Sequence, residues 1–160
     1  MNFFITGATG IIDGYLVEKL AAGHGHIYVL IHESSRHKFH ALKARIGASD
    51  AERVIPVYGN IAAPGLDLSA SDMAVLRGNV DHFLYFTAAS TTITAGPHSI
   101  AANQSNMANA LQAAELMHAA GFHHICSTGL SDLFKGLIQE SSPEETLFSV
   151  HSDRHNYLSH

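Results

Sequence analysis

The sequence predicts an α/β fold: a doubly wound parallel sheet with strand order 3-2-1-4-5 and helices on both faces. Two observations support this fold class. Short apolar runs alternate along the chain with segments whose apolar residues recur at helical spacing, and strands that alternate with helices are joined by right-handed crossovers into a parallel sheet. The first apolar run also ends in a glycine-rich turn that opens a helix. We expect a single domain over residues 1–160.

The first half of the chain predicts three strands and three helices. The apolar runs are typical of buried parallel strands, and Pro56 places the third strand at an edge of the sheet. Ser69 with Asp72 resembles a capping box that opens a short helix ending near Arg77. In chain order the elements are a strand at 3–6, a helix at 11–20, a strand at 27–31, a helix at 36–47, a strand at 53–59 and a helix at 70–77.

The second half predicts two more strands around a long helix. We expect a strand at 81–88, an alanine-rich helix from Pro97 to Ala120 that ends before Gly121, and a strand at 122–128. The remaining residues are polar and irregular. The larger apolar residues of the long helix are predicted to pack on the sheet: Met107, Leu111, Leu116 and Met117.

Composition excludes several classes of protein. With 46% hydrophobic and 14% charged residues the chain is predicted to be globular. A net charge of −5, with nine Lys and Arg scattered along the chain, argues against a nucleic-acid partner. One cysteine indicates a reducing compartment. The first residues do not resemble a signal peptide and no apolar run is long enough to cross a bilayer, so we expect a cytoplasmic protein that does not bind a membrane.

The turn after the first strand predicts a dinucleotide site. Gly7 and Gly10 follow a strand and open a helix, in the pattern G-x-x-G-x-x-G. The first glycine permits the tight turn and the second lets the backbone approach a pyrophosphate, as in a Rossmann-like fold. Asp13 stands where a third glycine is usual, beside Gly14. Its charge in the first helical turn favours the empty protein and repels a pyrophosphate, so we expect weakened cofactor affinity.

Several stretches together resemble the extended type of short-chain dehydrogenase/reductase, and within it the bacterial thioester and fatty acyl-CoA reductases. The stretches are TGATGII at 6–12, VIPVYGNI at 54–61, DHFLYFTAAS at 81–90, AANQSNMANAL at 101–111, FHHICSTG at 122–129 and HNYLSH at 155–160. The resemblance extends over essentially the whole chain, which corresponds to only about the first half of a typical family member. Two of these stretches depart from the family: Asn60 replaces the usual aspartate, and Asn106-Met107 replaces the usual Gly-Thr.

The resemblance implies a set of cofactor contacts. The glycine turn and the start of the helix would hold the pyrophosphate, Asn60 and Ile61 would lie beside the adenine, and the exit of the fourth strand would lie against the nicotinamide ribose. The first group comprises Thr6, Gly7, Thr9, Gly10, Ile11 and Ile12, and the last comprises Thr87, Ala88 and Ala89.

The chemistry that the resemblance implies is hydride transfer between a nicotinamide and a carbonyl or alcohol. Tyr157 matches the tyrosine that exchanges a proton with the substrate oxygen, Ser127 matches the serine that holds this oxygen (with Thr128 as the alternative hydroxyl), and Asn103 matches the asparagine of the long helix. The family lysine would fall at position 161. We therefore expect a truncated member, the cofactor half without a substrate domain, that turns over little by itself.

The end of the second strand leaves the cofactor open between NADP and NAD. His32 stands where relatives tend to have arginine. Arg36, Lys38 and either Ser34 or Ser35 would contact a 2′-phosphate. Glu33 would instead bind the ribose hydroxyls of NAD. The alternative is that Arg36 and Lys38 only solvate a helix face. The balance favours NADP slightly.

Three functions stay open at this point: an NAD(P)-dependent oxidoreductase, a non-catalytic nucleotide-binding or interaction module, and a degenerate remnant. The expected partner is a small carbonyl compound, and the family resemblance adds a homodimer formed through the long helices. Thirteen histidines invite a metal site, but they lack cysteine partners or a His-Glu-x-x-His pattern, so we predict none.

Overall fold

The computed structural model of the chain describes residues 1–8, 11–86 and 97–125, without the side chains of residues 11–13, 97–101 and 125. The described elements are β1 (Phe3–Ile5), α1 (Ile11–Ala21), β2 (Ile27–Ile31), α2 (Arg36–Arg45), α3 (Ala48–Ala51), β3 (Val54–Tyr58), α4 (Ala70–Leu76), β4 (His82–Phe86), α5 (Pro97–Leu116) and β5 (Gly121–Ile125). Two short 3₁₀ turns lie at Glu33–Ser35 and Pro64–Asp67.

The five strands form one parallel sheet in the order β3-β2-β1-β4-β5, which confirms the predicted topology. Phe3 pairs with Ile27 of β2 on one side and with His82 of β4 on the other. The chain therefore builds the sheet outward from β1 in one direction and then in the other. Such a reversal leaves a crevice at the carboxyl ends of β1 and β4, where ligands bind in open α/β sheets.

Helices cover both faces of the sheet, as predicted. One face packs against α5, α4 and the 3₁₀ turn at Pro64–Asp67, with Phe83, Tyr85 and Met117 in its core. The other face packs against α1 and α2, with Ile5 and Phe39 in its core. All five residues of β2 are buried, because that strand lies inside the sheet and is covered on both faces.

Local signals in the first half of the chain are largely confirmed. Pro56 lies in β3, an edge strand, where its missing N–H leaves no hydrogen bond unmade. Ser69 caps α4, since its hydroxyl accepts a hydrogen bond from the Asp72 N–H at 3.0 Å. However, α2 ends at Arg45 rather than at residue 47, because Ile46 turns to extended backbone (φ −90°, ψ 140°) and is itself buried. The four-residue α3 that follows was not predicted.

The end of α5 corrects two predictions. The helix stops at Leu116, four residues early, because His118 takes a left-handed conformation (φ 54°) and the chain turns back, with the Ala119 N–H bonded to the Ala114 carbonyl at 3.0 Å. Leu111 and Leu116 were predicted to pack on the sheet, but they are 41% and 40% exposed. The buried side of α5 consists mainly of small residues: Ala110, Ala113 and Ala114, followed by Met117.

Candidate functional site

The turn after β1 carries the first part of the site. Gly7 has φ +73°, a left-handed conformation that favours glycine, and α1 begins four residues later at Ile11. The Thr6 hydroxyl is buried and accepts a hydrogen bond from the Phe86 N–H at 3.1 Å, across 80 residues of sequence. This bond joins the ends of β1 and β4 at the crevice. Thr6 therefore holds the end of β1 next to the end of β4, and the crevice opens between these two strands.

A cleft of about 230 Å³ lies at the carboxyl ends of the first four strands. This volume is below the roughly 300–1,000 Å³ typical of a pocket for a drug-sized ligand, so it fits one part of a dinucleotide. Five predicted cofactor residues line it: Thr6, Gly7, His32, Asn60 and Ile61. Ser35, one of the two serines considered as a 2′-phosphate contact, lines it as well. Six residues that were not predicted complete the lining: Leu30, Ile31, Gly59, Tyr85, Phe86 and Asn106.

Arg36, a predicted cofactor residue, follows the lining residue Ser35 in sequence but is not itself among the lining residues. The Arg36 guanidinium lies 4.3 Å from the centre of the Tyr58 ring, at the end of β3, and its Nε is 2.8 Å from a carboxylate oxygen of Glu33. His32 caps the same turn, where its Nδ1 accepts from the Ser34 N–H at 3.3 Å. Arg36 is thus held beside the cleft by a ring and a carboxylate. Tyr58 was not predicted, because its contact joins the end of β3 to the first residue of α2, 22 residues apart in sequence.

The loop after β3 forms a tightly packed wall. The Asn60 side-chain oxygen accepts a hydrogen bond from the Ala62 N–H at 3.0 Å, and the Asn60 N–H donates to the Leu66 carbonyl at 2.7 Å. Leu66 is fully buried with φ +60°. The departure from aspartate at Asn60 therefore keeps a side-chain acceptor, and this acceptor holds the loop.

Three asparagines at intervals of three residues mark the side of α5 near the cleft. Asn109 donates from Nδ2 to the Ile61 carbonyl at 3.1 Å and so ties the helix to the wall. Asn106 lines the cleft, whereas Asn103, predicted from the resemblance, is partly buried and is not among the lining residues. The asparagine that recurs every third residue of the helix is a signal that could have identified Asn106 and Asn109.

Tyr85 contributes a neutral polar group. Its side chain is 2% exposed, lines the cleft, and stacks on Phe122 with ring centres 6.2 Å apart. Burial raises the pKa of the Tyr85 phenol above its usual value of 10.0, because the charged phenolate would lose its hydration. The phenol therefore stays protonated at neutral pH. The apolar pattern of β4 predicted only that this residue would be buried.

The other predicted site residues lie outside the described residues. They are Thr9 and Gly10, Thr87, Ala88 and Ala89, and Ser127 and Tyr157; for Ile11, Ile12 and Asp13 only the backbone is described, in the first turn of α1. Their roles remain predictions. Within the described part of the chain no three His, Cys, Asp or Glu side chains come together as metal ligands would. None of the described helices is both long and apolar enough to span a membrane.

A family model of NAD-binding proteins, described as male sterility protein, matches residues 5–156. The chain belongs to this family. A search of the curated proteins found no significant match. Together with the sheet order, the family confirms the predicted kinship with reductases of the short-chain dehydrogenase type, and it supports a nicotinamide nucleotide as the cofactor.

Solved structures share the fold at low sequence identity. The terminal R domain from the myxalamid PKS-NRPS biosynthetic pathway is 20% identical with a TM-score of 0.71, over 98% of this chain and 42% of that one. The reductase domain of a non-ribosomal peptide synthetase from Mycobacterium tuberculosis is 19% identical with a TM-score of 0.62, over 84% and 35%. A short-chain dehydrogenase from Sphingobium yanoikuyae in complex with NADPH is 18% identical with a TM-score of 0.55, over 79% and 54%.

This chain matches only part of the length of each of these structures. It spans 42% of the length of the myxalamid R domain and 35% of the Mycobacterium tuberculosis reductase domain. At such identities the likeness establishes the fold alone, a Rossmann-like α/β fold.

Proposed function

We propose that this chain is the cofactor-binding part of an NADP-dependent oxidoreductase, which transfers hydride to or from a small carbonyl or alcohol substrate, with an aldehyde or an acyl thioester as the favoured class. The observation that carries the proposal is the cleft at the carboxyl ends of β1 to β4, at the point where the strand order reverses. Open α/β sheets bind dinucleotides at this point. Membership of an NAD-binding family points to the same ligand.

The pyrophosphate sits at the N-terminus of α1 in this proposal. The backbone amides there carry the positive end of the helix dipole and have no partner within the helix. Gly7, with φ +73°, turns the backbone toward them, and Gly10 lets the chain approach the phosphates. The proposed contacts in this region are Thr6, Gly7, Thr9, Gly10, Ile11 and Ile12.

The adenosine half occupies the described cleft. Asn60 and Ile61 bound the adenine, and His32 and Arg36 lie toward the 2′ position of its ribose. Arg36 favours NADP, because its guanidinium lies over the Tyr58 ring next to the lining residues Ser35 and Gly59 and a guanidinium forms strong, charge-assisted bonds to phosphate. Glu33, 2.8 Å from Arg36, opposes this preference by competing for the same cation. We therefore expect NADP to be favoured over NAD by a modest margin.

The proposed chemistry needs a proton at the substrate oxygen. When bound, a reduced nicotinamide supplies the hydride. As the carbonyl carbon of an aldehyde accepts the hydride, the Tyr157 phenol donates a proton to the carbonyl oxygen, which gives an alcohol. The Ser127 hydroxyl forms a hydrogen bond to the same oxygen. Asn103 supports the reacting groups, and Thr87, Ala88 and Ala89 lie against the nicotinamide ribose. These roles come from the family resemblance.

Nucleotide titration tests the proposal. NADPH and NADH are titrated into the protein by calorimetry, with Gly7→Ala as the site variant and Gly47→Ala as the control, since a methyl group at Gly47 meets nothing within 4 Å. We expect saturable binding of both nucleotides, weakened about tenfold or more by Gly7→Ala because a left-handed alanine is strained by about 1–2 kcal/mol and obstructs the phosphates. Gly47→Ala should bind as the wild type does. An absence of saturable wild-type binding at millimolar nucleotide would refute the proposal.

Two charge variants test the cofactor preference. Arg36→Gln should lower the affinity for NADPH about tenfold, because a charge-assisted hydrogen bond to the 2′-phosphate is lost. The affinity for NADH, which has no 2′-phosphate, should be nearly unchanged. Glu33→Gln should raise the affinity for NADPH, because Arg36 is released from its ion pair with Glu33. If Arg36→Gln lowered the affinities for both nucleotides equally, Arg36 would have no role in choosing between them.

Asp13 provides a further test at the phosphate end. Asp13 is the third residue of α1, and a negative charge in the first turn of a helix competes with an anion for the helix dipole. We expect Asp13→Gly to tighten NADPH binding measurably, more at low salt than at high salt, because the repulsion is electrostatic. An unchanged dissociation constant would show that Asp13 does not oppose the cofactor.

A further inference from the structure

Asn106 is a polar side chain at the cleft with no protein partner in the described residues. It is partly buried, lies in the interior of α5 and lines the cleft. Two neighbouring asparagines are engaged, since the Asn60 oxygen accepts from the Ala62 N–H and the Asn109 amide donates to the Ile61 carbonyl. Asn103 is not among the lining residues. Asparagine is a poor helix former, so the position of Asn106 is not explained by the stability of α5.

The neighbouring contacts fix where Asn106 stands. Asn109, one helical turn further along α5, is bonded to the Ile61 carbonyl at 3.1 Å. This bond sets the distance between the helix and the wall formed by Asn60 and Ile61. A planar group that enters the cleft beside this wall therefore meets the Asn106 amide without requiring the helix to move.

We infer that Asn106 recognises the adenine base of the cofactor, an inference that rests on the proposed function. A carboxamide offers one donor and one acceptor side by side, the pattern that pairs with the amino group and a ring nitrogen of adenine. The family pattern has glycine at this position, so this chain adds a base contact at the helix. The contact makes Asn106 a residue that determines specificity for the base.

The other polar groups near the cleft fit this role less well. The Asn60 oxygen is committed to its own loop, and the Arg36 guanidinium, held by Glu33 and Tyr58, has donors only. The Tyr85 phenol is a single hydroxyl within the stacked rings of the core. Among these groups, only Asn106 offers an uncommitted donor and an uncommitted acceptor on two separate atoms, as a paired contact to a base edge requires.

The test compares NADPH with its 1,N⁶-etheno derivative, in which the adenine amino group and N1 are blocked. Asn106→Ala removes the amide, and Asn106→Asp keeps the shape but has no donor. Gln104→Ala is the matched control, since it removes an exposed amide from the same helix. Circular dichroism melts of all four proteins establish that they are folded.

The expected result is specific to the base. In Asn106→Ala and Asn106→Asp the affinity for NADPH should fall about fivefold to twentyfold, as for the loss of one or two hydrogen bonds. The wild type should bind NADPH more tightly than the etheno derivative, and this difference in affinity should become smaller in Asn106→Ala. Gln104→Ala should bind both nucleotides with the affinities of the wild type. If the ratio in Asn106→Ala equals that of Gln104→Ala, the inference is overturned and the proposed function stands. If the wild type binds neither nucleotide, both are overturned.

Discussion

Gly59, at the junction of β3 and the cleft wall, provides the sharpest test of the packing described above. A methyl group at this position would lie closer to the Leu66 carbonyl oxygen than real methyl groups approach, 2.8 Å from the Leu68 side chain and 2.9 Å from that of Leu30. The carbonyl cannot retreat freely, because it accepts the 2.7 Å hydrogen bond from Asn60. Gly59→Ala must therefore displace the loop that bounds the cleft.

The expected loss of stability follows from this crowding. Forcing one methyl group into a well-packed site costs about 1–3 kcal/mol, which lowers the melting temperature of a chain of this size by about 2–12 °C. Gly47→Ala is the control, because its backbone (φ −54°, ψ 143°) suits alanine and the new methyl group meets no atom within 4 Å. Urea unfolding followed by far-UV circular dichroism measures both variants.

The same variant links the wall to binding. Because the loop also carries Asn60 and Ile61, Gly59→Ala should weaken NADPH binding in addition to stability, whereas Gly47→Ala should leave both unchanged. Equal unfolding free energies for the two variants, within about 0.5 kcal/mol of each other, would contradict the packing argument. A destabilised Gly59→Ala with unaltered NADPH affinity would separate the loop from the site.

Substitutions at three further positions have expected outcomes. Thr6→Val should destabilise the protein by about 1–3 kcal/mol because the buried Phe86 N–H loses its acceptor, and Thr6→Ser should lose clearly less in the same urea titration; equal losses would discount the hydroxyl. Gly14→Ala should stabilise α1 by up to about 1 kcal/mol, because a methyl group there would be 3.6 Å from Leu42, an ordinary contact; a net loss would indicate crowding. Tyr85→Phe should reduce the alkaline loss of stability: burial raises the pKa of the Tyr85 phenol above 10.0, so its contribution is complete below pH 10 and declines as the pH rises beyond it. Unfolding midpoints at pH 8 and pH 11 compare this variant with the wild type, and parallel declines would assign the effect to other groups.

The sheet could be predicted because its signals are local. The apolar run of β2 coincides with a strand that is buried on both faces, and Pro56 marks an edge strand by its missing donor. Ser69 marks the start of α4, because its hydroxyl caps the helix through a hydrogen bond to Asp72, three residues later. Right-handed crossovers then order the strands without any knowledge of their contacts. Each of these features depends on residues close together in sequence.

Element ends and helix faces were less predictable because they depend on distant contacts. The left-handed turn at His118 ends α5 where glycine would be the usual signal. Leu111 and Leu116 have the apolarity of core residues, yet the orientation of α5 on the sheet leaves them exposed. Alanines on the opposite side of the helix bring it close to the sheet instead. The hydrophobic pattern of the helix alone does not reveal which side will be buried.

The candidate site shows the same division. Thr6, Gly7, His32, Asn60 and Ile61 follow strands, and the carboxyl ends of parallel strands meet at one edge of the sheet, so their common position could be inferred. Asn106 and Tyr58 could not be placed in this way, because one depends on the rotation of α5 and the other on the approach of the end of β3 to the first residue of α2.

The polar groups around the cleft divide into those that build its walls and those that remain available to a ligand. The Thr6 hydroxyl, the Asn60 oxygen and the Asn109 amide are each bonded to backbone. Two of these bonds, from Thr6 and Asn109, join elements far apart in sequence, so the cleft is shaped before any ligand enters and little ordering remains to oppose binding. The amide of Asn106 has no such partner among the described residues. A cleft with fixed walls and one uncommitted amide is therefore suited to distinguishing one flat heteroaromatic ring from another.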